Sequence, residues 1–214
     1  MKRITTLTGP SCAGKSTLEA ALAAGGALRA ISTTTRPPRA GEVDGVHYYF
    51  VSYARFELMV ADDKLAEMVS LGGNLYGLTT AELDRLFAQG DHVVVVCEPH
   101  GAKQIRKYCN EKTDVSLVQV FVNNPQSVIF SRFLERFCQD YDEAKALGTR
   151  TATARVKEVY SKRAVIMAGI ERDWVQEAYG PAYPESDHLG FRYNILLDRF
   201  DAENIEQITA DLLR

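Results

Sequence analysis

The sequence predicts an α/β fold, a parallel β-sheet flanked by helices, and three observations carry that expectation. A β-branched stretch at 4–8 runs into a glycine loop and then into a helix. Two further continuous apolar runs, at 92–97 and 115–122, read as strands buried on both faces of a parallel sheet. Helical segments separate these strands along the chain. At 214 residues, with 46% hydrophobic and 25% charged residues, the chain can build one sizeable core plus small insertions.

The loop is the most specific feature. Gly9-Pro10-Ser11-Cys12-Ala13-Gly14-Lys15-Ser16-Thr17 fits the pattern G-x-x-x-x-G-K-[ST], with a strand before it and a helix from 17 to 24 after it. Gly25-Gly26 stop that helix. A strand, a glycine loop and a helix N-terminus aim backbone N–H groups and the positive end of the helix dipole at one point, so a phosphate chain is the natural occupant. Lys15 is expected to reach the β and γ oxygens, and the Ser16 hydroxyl to sit on Mg²⁺. Gly9, Ser11, Ala13, Gly14, Lys15, Ser16 and Thr17 are therefore the candidate donor-nucleotide residues.

Charge and composition narrow the partners. A net charge of −3 and a pI of about 5.9 argue against nucleic acid or an anionic membrane as the main partner. No apolar run reaches the length of a membrane span, and the early first strand leaves no room for a signal peptide. Cys12, Cys97, Cys109 and Cys138 are far apart and read as free thiols in a reducing, cytoplasmic setting. Cys12, beside the loop, reads as a small filler there and not as a reactive thiol.

A short β-branched run, a proline-stiffened turn and a strand follow between 28 and 50. Arg36 and Arg39 bracket Pro37-Pro38 as a rigid cationic hook, suited to gripping phosphate oxygens bidentately at a second anion site. Helix then strand are expected over 56–59 and 64–68, and a helix over 79–88, capped by Thr79 or Thr80 and ended by Gly90. The strand at 92–97 places Glu98 and Gly101 at its C-terminal end, where ligands bind in such sheets. Helix over 102–108 and strand over 115–122 come next; Asn123-Asn124-Pro125 break the strand, and 126–137 reads as helical. Residues 132–163 are basic, carrying Arg132, Arg136, Arg150, Arg155, Lys157, Lys162 and Arg163. The aromatic and proline-rich stretch at 173–190 reads as surface packing, 193–197 as a last strand and 202–213 as an amphipathic helix.

The string Ser32-x-Thr34-Thr35-Arg36-x-Pro38-Arg39-x-Gly41-Glu42-x-x-Gly45-x-x-Tyr48-x-Phe50, following the loop at 9–17, resembles the guanylate kinases. The likeness is dense over 3–110 and looser from about 125 onward. It implies a small mixed α/β insertion that binds a nucleoside monophosphate, and a helical lid. On that pattern residues 1–31, 88–131 and 164–214 form the core, 32–87 the GMP-binding subdomain and 132–163 the lid. The resemblance implies that Glu67 reads the base and that Ser32, Tyr48 and Tyr76 bond the acceptor phosphate. Arg36, Arg39, Glu42 and Glu98 fall on the same substrate side. Ile129-x-x-Arg132-Phe133-x-x-Arg136 resembles the entry into the lid, which makes Arg136 the first lid arginine and Arg150 the next.

The activity implied is ATP-dependent phosphorylation of GMP or dGMP with Mg²⁺, in purine nucleotide metabolism. Lys15, Arg39, Arg136 and Arg150 would carry the catalytic charge. The sequence departs from the family where a Ser or Thr usually follows Tyr-Gly, here Leu78. It departs again at the first aspartate of D-x-D, here Val96, and where the last strand ends in Leu197-Asp198. A kinase of another or modified purine monophosphate therefore stays open. A non-catalytic binding module of the same build is the other alternative, against which Lys15 and Ser16 speak. The pattern leaves room for a homo-oligomer.

Overall fold

The computed structural model describes residues 1–39, 41–124, 126–161, 193–196 and 202–213. The fold is α/β, as expected. Its first sheet has five strands: β1 (Lys2–Thr8), β2 (Leu28–Arg29), β7 (His92–Val96), β8 (Val115–Asn123) and β9 (Tyr193–Leu196), in the order β2-β7-β1-β8-β9. Every pairing in it is parallel. Its centre is β1, with Leu7 beside Val96 and Thr8 beside Phe121, so three strands end side by side.

Both faces of this sheet are covered, which is why its inner strands are continuously apolar. Leu7, Val94, Val120 and Val122 pack with Leu18 and Leu22 of α1 (Lys15–Ala24) and Leu212 of α7 (Ala202–Leu213). Ile4, Val93 and Val95 point to the other face, against Leu83 and Leu86 of α3 (Thr80–Phe87) and Ile105 of α4 (Pro99–Asn110). Neighbouring residues of a strand thus serve opposite layers, the strand period of two.

Helix α4 begins at Pro99, earlier than the expected 102: proline suits a first helical position, so Gly101 lies inside the first turn. Helix α5 (Gln126–Ala146) runs nine residues past the expected end at 137: Phe137 packs on Tyr160, whose hydroxyl donates to Asp140, Ala144 is buried, and the helix stops only before Gly148, at φ +70°. The expected core–lid boundary at 132 therefore lies inside one unbroken helix. Residues 150–161 form helix α6. The expectations for 162–163, 173–190 and 197–198 lie outside the described residues. No described helix is long and apolar enough to cross a membrane.

A second sheet has four strands: β3 (Thr33–Thr34), β4 (Tyr49–Phe50), β5 (Leu65–Leu71) and β6 (Asn74–Thr79), in the order β4-β3-β6-β5. Helix α2 (Tyr53–Ala61) precedes β5, its first turn capped by Ser52. The β5–β6 hairpin turns at Gly72-Gly73, with φ of +57° and +77°, the left-handed pair that a tight hairpin needs. Thr79 caps α3 through Glu82 N–H.

The chain crosses between the sheets within a few residues. Ala30 N–H still bonds Val94 O of the first sheet, while Thr33 already pairs with Gly77 of the second. The crossing is pinned by the buried Glu82 carboxylate. It accepts Ile31 N–H at 3.1 Å, the Tyr49 hydroxyl at 3.2 Å and both prongs of Arg85 at 2.8 Å. Removing it leaves the half-buried Ile31 amide without its acceptor, while the exposed Arg85 guanidinium turns to water. Glu82→Leu is expected to lower the unfolding free energy by roughly 1–3 kcal/mol, measured by urea denaturation.

Candidate functional site

The loop after β1 is shaped by its glycines. A Cβ on Gly9 would collide with the Val122 carbonyl of β8, so only glycine lets the loop lie this close to the sheet. Gly14 caps α1 at φ +102°, and Cys12 is held at φ +64°, a conformation uncommon outside glycine. Ala13 is buried. Two donors hold the crest from outside: Asn124 Nδ2 on Ala13 O at 2.7 Å and Arg132 on Cys12 O at 3.4 Å. Ser16 and Thr17 present exposed side chains from the first turn of α1.

Lys15 folds back onto the loop, donating to the carbonyls of Gly9 and Pro10, the latter at 2.8 Å. Burial lowers its pKa, and the Glu98 carboxylate works against that shift. The loop faces a cleft of about 950 Å³. Gly9, Ser11 and Lys15 line it on the loop side, and Ser32, Arg36, Arg39, Tyr48 and Tyr76 from the second sheet and its connections. Glu67 of β5 and Val96 and Glu98 at the end of β7 complete the base of the arrangement, and Arg136 of α5 and Arg155 of α6 also reach it.

Arg36 and Arg39 both line the cleft, and Glu42 braces them. Arg36 makes a bidentate pair with Glu42 at 2.8 and 2.9 Å, and its guanidinium lies 5.3 Å from the Tyr48 ring centre. Glu42 also accepts Arg39 N–H at 2.6 Å. The ion pair raises the Arg36 pKa despite burial and lowers that of Glu42. Glu42 was expected to meet substrate; it does not line the cleft and instead fixes the hook, because a carboxylate three residues from Arg39 is the nearest anion to two cations. Arg36 Nε is buried without a partner among the described residues.

Glu67 is 4% exposed, and its Oε2 has no hydrogen-bond partner among the described residues. The carboxylate lies over α4, where a Cβ on Gly101 would stand 2.6 Å from Oε2. Burial and the neighbouring Glu98 charge push its pKa up to about 7, with the Leu78 N–H pulling the other way. Leu78 itself is fully buried in the core beneath α3 and is absent from the cleft lining. The position therefore contributes a backbone amide at Glu67 and no side-chain hydrogen bond to a base.

Of the lid arginines, Arg136 lines the cleft, whereas Arg150, at the exposed start of α6, does not. Arg155, further along the same helix, does. Arg155 and Val159 both line the cleft and stand four apart on one helix face, the signal in the sequence that would have selected Arg155.

Residues 1–171 match the family model described as Guanylate kinase. This chain belongs to the guanylate kinase family. Curated guanylate kinases are similar to it over about half to two thirds of its length. The protein of Synechococcus sp. (strain ATCC 27144 / PCC 6301 / SAUG 1402/1) is 38% identical over 135 residues, covering 62% of this chain and 74% of that one. The Thermobifida fusca (strain YX) protein is 42% identical over 107 residues, covering 49% of this chain and 55% of that one. The crystal structure of guanylate kinase from Anaplasma phagocytophilum shares the fold, with a TM-score of 0.55 at 20% identity. That match covers 99% of this chain and 82% of the crystallised one. The resemblance seen in the motifs at 9–17 and 32–50 is thus borne out.

The guanylate kinase cleft leaves a measurable mark on stability. The folded chain holds the Glu67 proton up to about pH 7, against an ordinary value of 4.5, so stability falls as pH rises through that window. Above it the buried charge costs on the order of 3 kcal/mol. Ligand-free Glu67→Gln is expected to exceed the parent in stability by up to about that amount near pH 8, the gap closing toward acid, as read by denaturant titration at several pH values.

Proposed function

We propose that this chain transfers the γ-phosphoryl group of ATP to GMP or dGMP, yielding GDP or dGDP. One observation carries the choice of acceptor: the buried Glu67 oxygen without a partner, in the same cleft as Lys15 and the Arg36–Arg39 hook. Guanine offers its N1–H and 2-amino donors on one edge, and a carboxylate accepts both. Adenine offers an acceptor at N1 and would leave Glu67 unsatisfied.

The loop at 9–17 holds ATP in this reading, and the hook holds the α-phosphate of the mononucleotide, with Ser32, Tyr48 and Tyr76 adding neutral hydrogen bonds. The acceptor oxygen is already anionic, so no general base is required, and positioning and charge supply the rate. Lys15, Arg39 and Arg136 spread positive charge over the transferring group, and Arg150 joins them when the lid closes. Residues 32–87 act as the mononucleotide-binding subdomain and 132–163 as the lid, whose closure keeps water from the phosphates. Ser16 offers an exposed hard oxygen in the first turn of α1, a donor that suits Mg²⁺ shared with phosphates. The ion, when bound, neutralises charge on the β and γ oxygens. The setting is cytoplasmic, with nucleotides as partners and no nucleic acid or membrane, in keeping with the acidic net charge of −3 and free thiols.

A coupled ADP-release assay over a panel of ribo- and deoxynucleoside monophosphates tests this. GMP and dGMP are expected to be turned over, and AMP, CMP and UMP left unused. Turnover of an adenine or pyrimidine acceptor with GMP inert would overturn the reading.

Arg36→Lys removes the fork that binds Glu42 and the plane that lies over Tyr48. It is expected to lower kcat/KM for GMP by about 100-fold while leaving KM for ATP within about twofold, in steady-state kinetics with each substrate varied.

A further inference from the structure

Helix α4 holds strand β5 by one side chain. Gln104 Oε1 accepts Met68 N–H at 3.0 Å, and its Nε2 donates to Met68 O at 2.7 Å and to His100 O at 3.4 Å. A single side-chain amide thus satisfies both backbone polar groups of one residue, as a neighbouring strand would. The arrangement has a geometric origin. β5 is the outer strand of its sheet, and Met68 sits opposite Gly77 in the antiparallel ladder, with its N–H and C=O turned outward from β6.

Met68 follows Glu67 directly. Fixing Met68 N–H fixes the peptide plane on the C-terminal side of Glu67, and so the direction in which the Glu67 side chain leaves the strand. One turn earlier on the same face of α4, Gly101 leaves the space that the Glu67 carboxylate occupies. Helix α4 is therefore a two-point template for Glu67, with room at 101 and a hydrogen-bonded anchor at 104. It starts next to Glu98, at the end of β7, and β7 pairs with the strand that leads into the phosphate loop. Glu67 is consequently placed against the core sheet and its loop, and not only against its own sheet.

We infer that Gln104 is a positioning residue for base recognition, holding Glu67 in register with the phosphate loop through the Met68 backbone. The inference rests on the reading of Glu67 as the guanine contact.

The test compares the parent chain with Gln104→Met, Glu67→Gln and the double variant, with GMP and IMP as acceptors at saturating ATP. IMP lacks the 2-amino donor, so the GMP-over-IMP ratio reports how well the carboxylate meets that edge. Gln104→Met is expected to raise KM for GMP about tenfold, to leave kcat and KM for ATP within about threefold, and to shrink the GMP preference. In the Glu67→Gln background the same change is expected to add less than about twofold. Equal losses in both backgrounds, or a fall in kcat with the preference intact, would assign Gln104 a merely structural tie.

Gln104→Glu keeps the acceptor for Met68 N–H. It is expected to give a smaller loss that also vanishes without Glu67, and it decides the matter if Gln104→Met does not fold. A carbon-13 NMR titration of Glu67 in the ligand-free chain supplies a readout independent of turnover. Gln104→Met is expected to move the Glu67 midpoint toward the ordinary carboxylate range as the side chain gains access to water. An unmoved midpoint would overturn the inference. A parent chain inert toward GMP would remove the proposed activity and leave this titration to judge the positioning.

Discussion

The cleft depends on the double-sided parallel pairing of β1. Leu7 beside Val96 and Thr8 beside Phe121 bring the ends of β1, β7 and β8 to one line. From that line leave the phosphate loop, the Glu98–Gly101 turn of α4 and Asn124, each a few residues from its strand. In antiparallel neighbours these ends would alternate between the two edges of the sheet, and Lys15, Glu98 and Asn124 could not meet. The apolar packing that covers both faces keeps the register, since a slip of one residue would exchange the α1-facing and α4-facing side chains.

On that base the two proposed anion grips are built by different means. The loop grip is made of backbone and is shaped by glycine and by donors such as Asn124 that hold it from behind. The hook grip is made of side chains and must be organised before a ligand arrives. Glu42 supplies that organisation by pairing with Arg36, at a cost in competition with phosphate, and Tyr48 and Phe50 flank the guanidinium. A guanidinium held in place loses less entropy on meeting a phosphate than a free one.

The sequence was most informative where local geometry and chemistry coincide. The loop at 9–17 was legible because its residue spacing is its function, and the strands at 92–96 and 115–123 because burial on both faces leaves one composition. Glu67 was legible only through family likeness. Its surroundings, with Gly101 beneath it and Glu98 beside it, come from segments more than thirty residues away, and no local pattern encodes them. Glu42 was assigned to the substrate because spacing does not reveal which partner wins a competition between charges. Residue type alone does not tell Arg150 from Arg155; the phase of α6 decides which of them lines the cleft. The end of α5 was not legible because the partner that packs on it, Tyr160 of α6, lies more than twenty residues from Phe137 in the chain.

Glu67 brings into the cleft a buried carboxyl oxygen without a partner among the described residues, and ionising it costs the fold stability. A guest that neutralises such a flaw acts as a late-arriving part of the native structure. By mass action, occupancy then tightens the whole chain. Molecules deprived of nucleotide open more often, and a protease that samples open states would clear them first. The lifetime of the protein in such a setting would follow the supply of its own substrate, with no dedicated sensor.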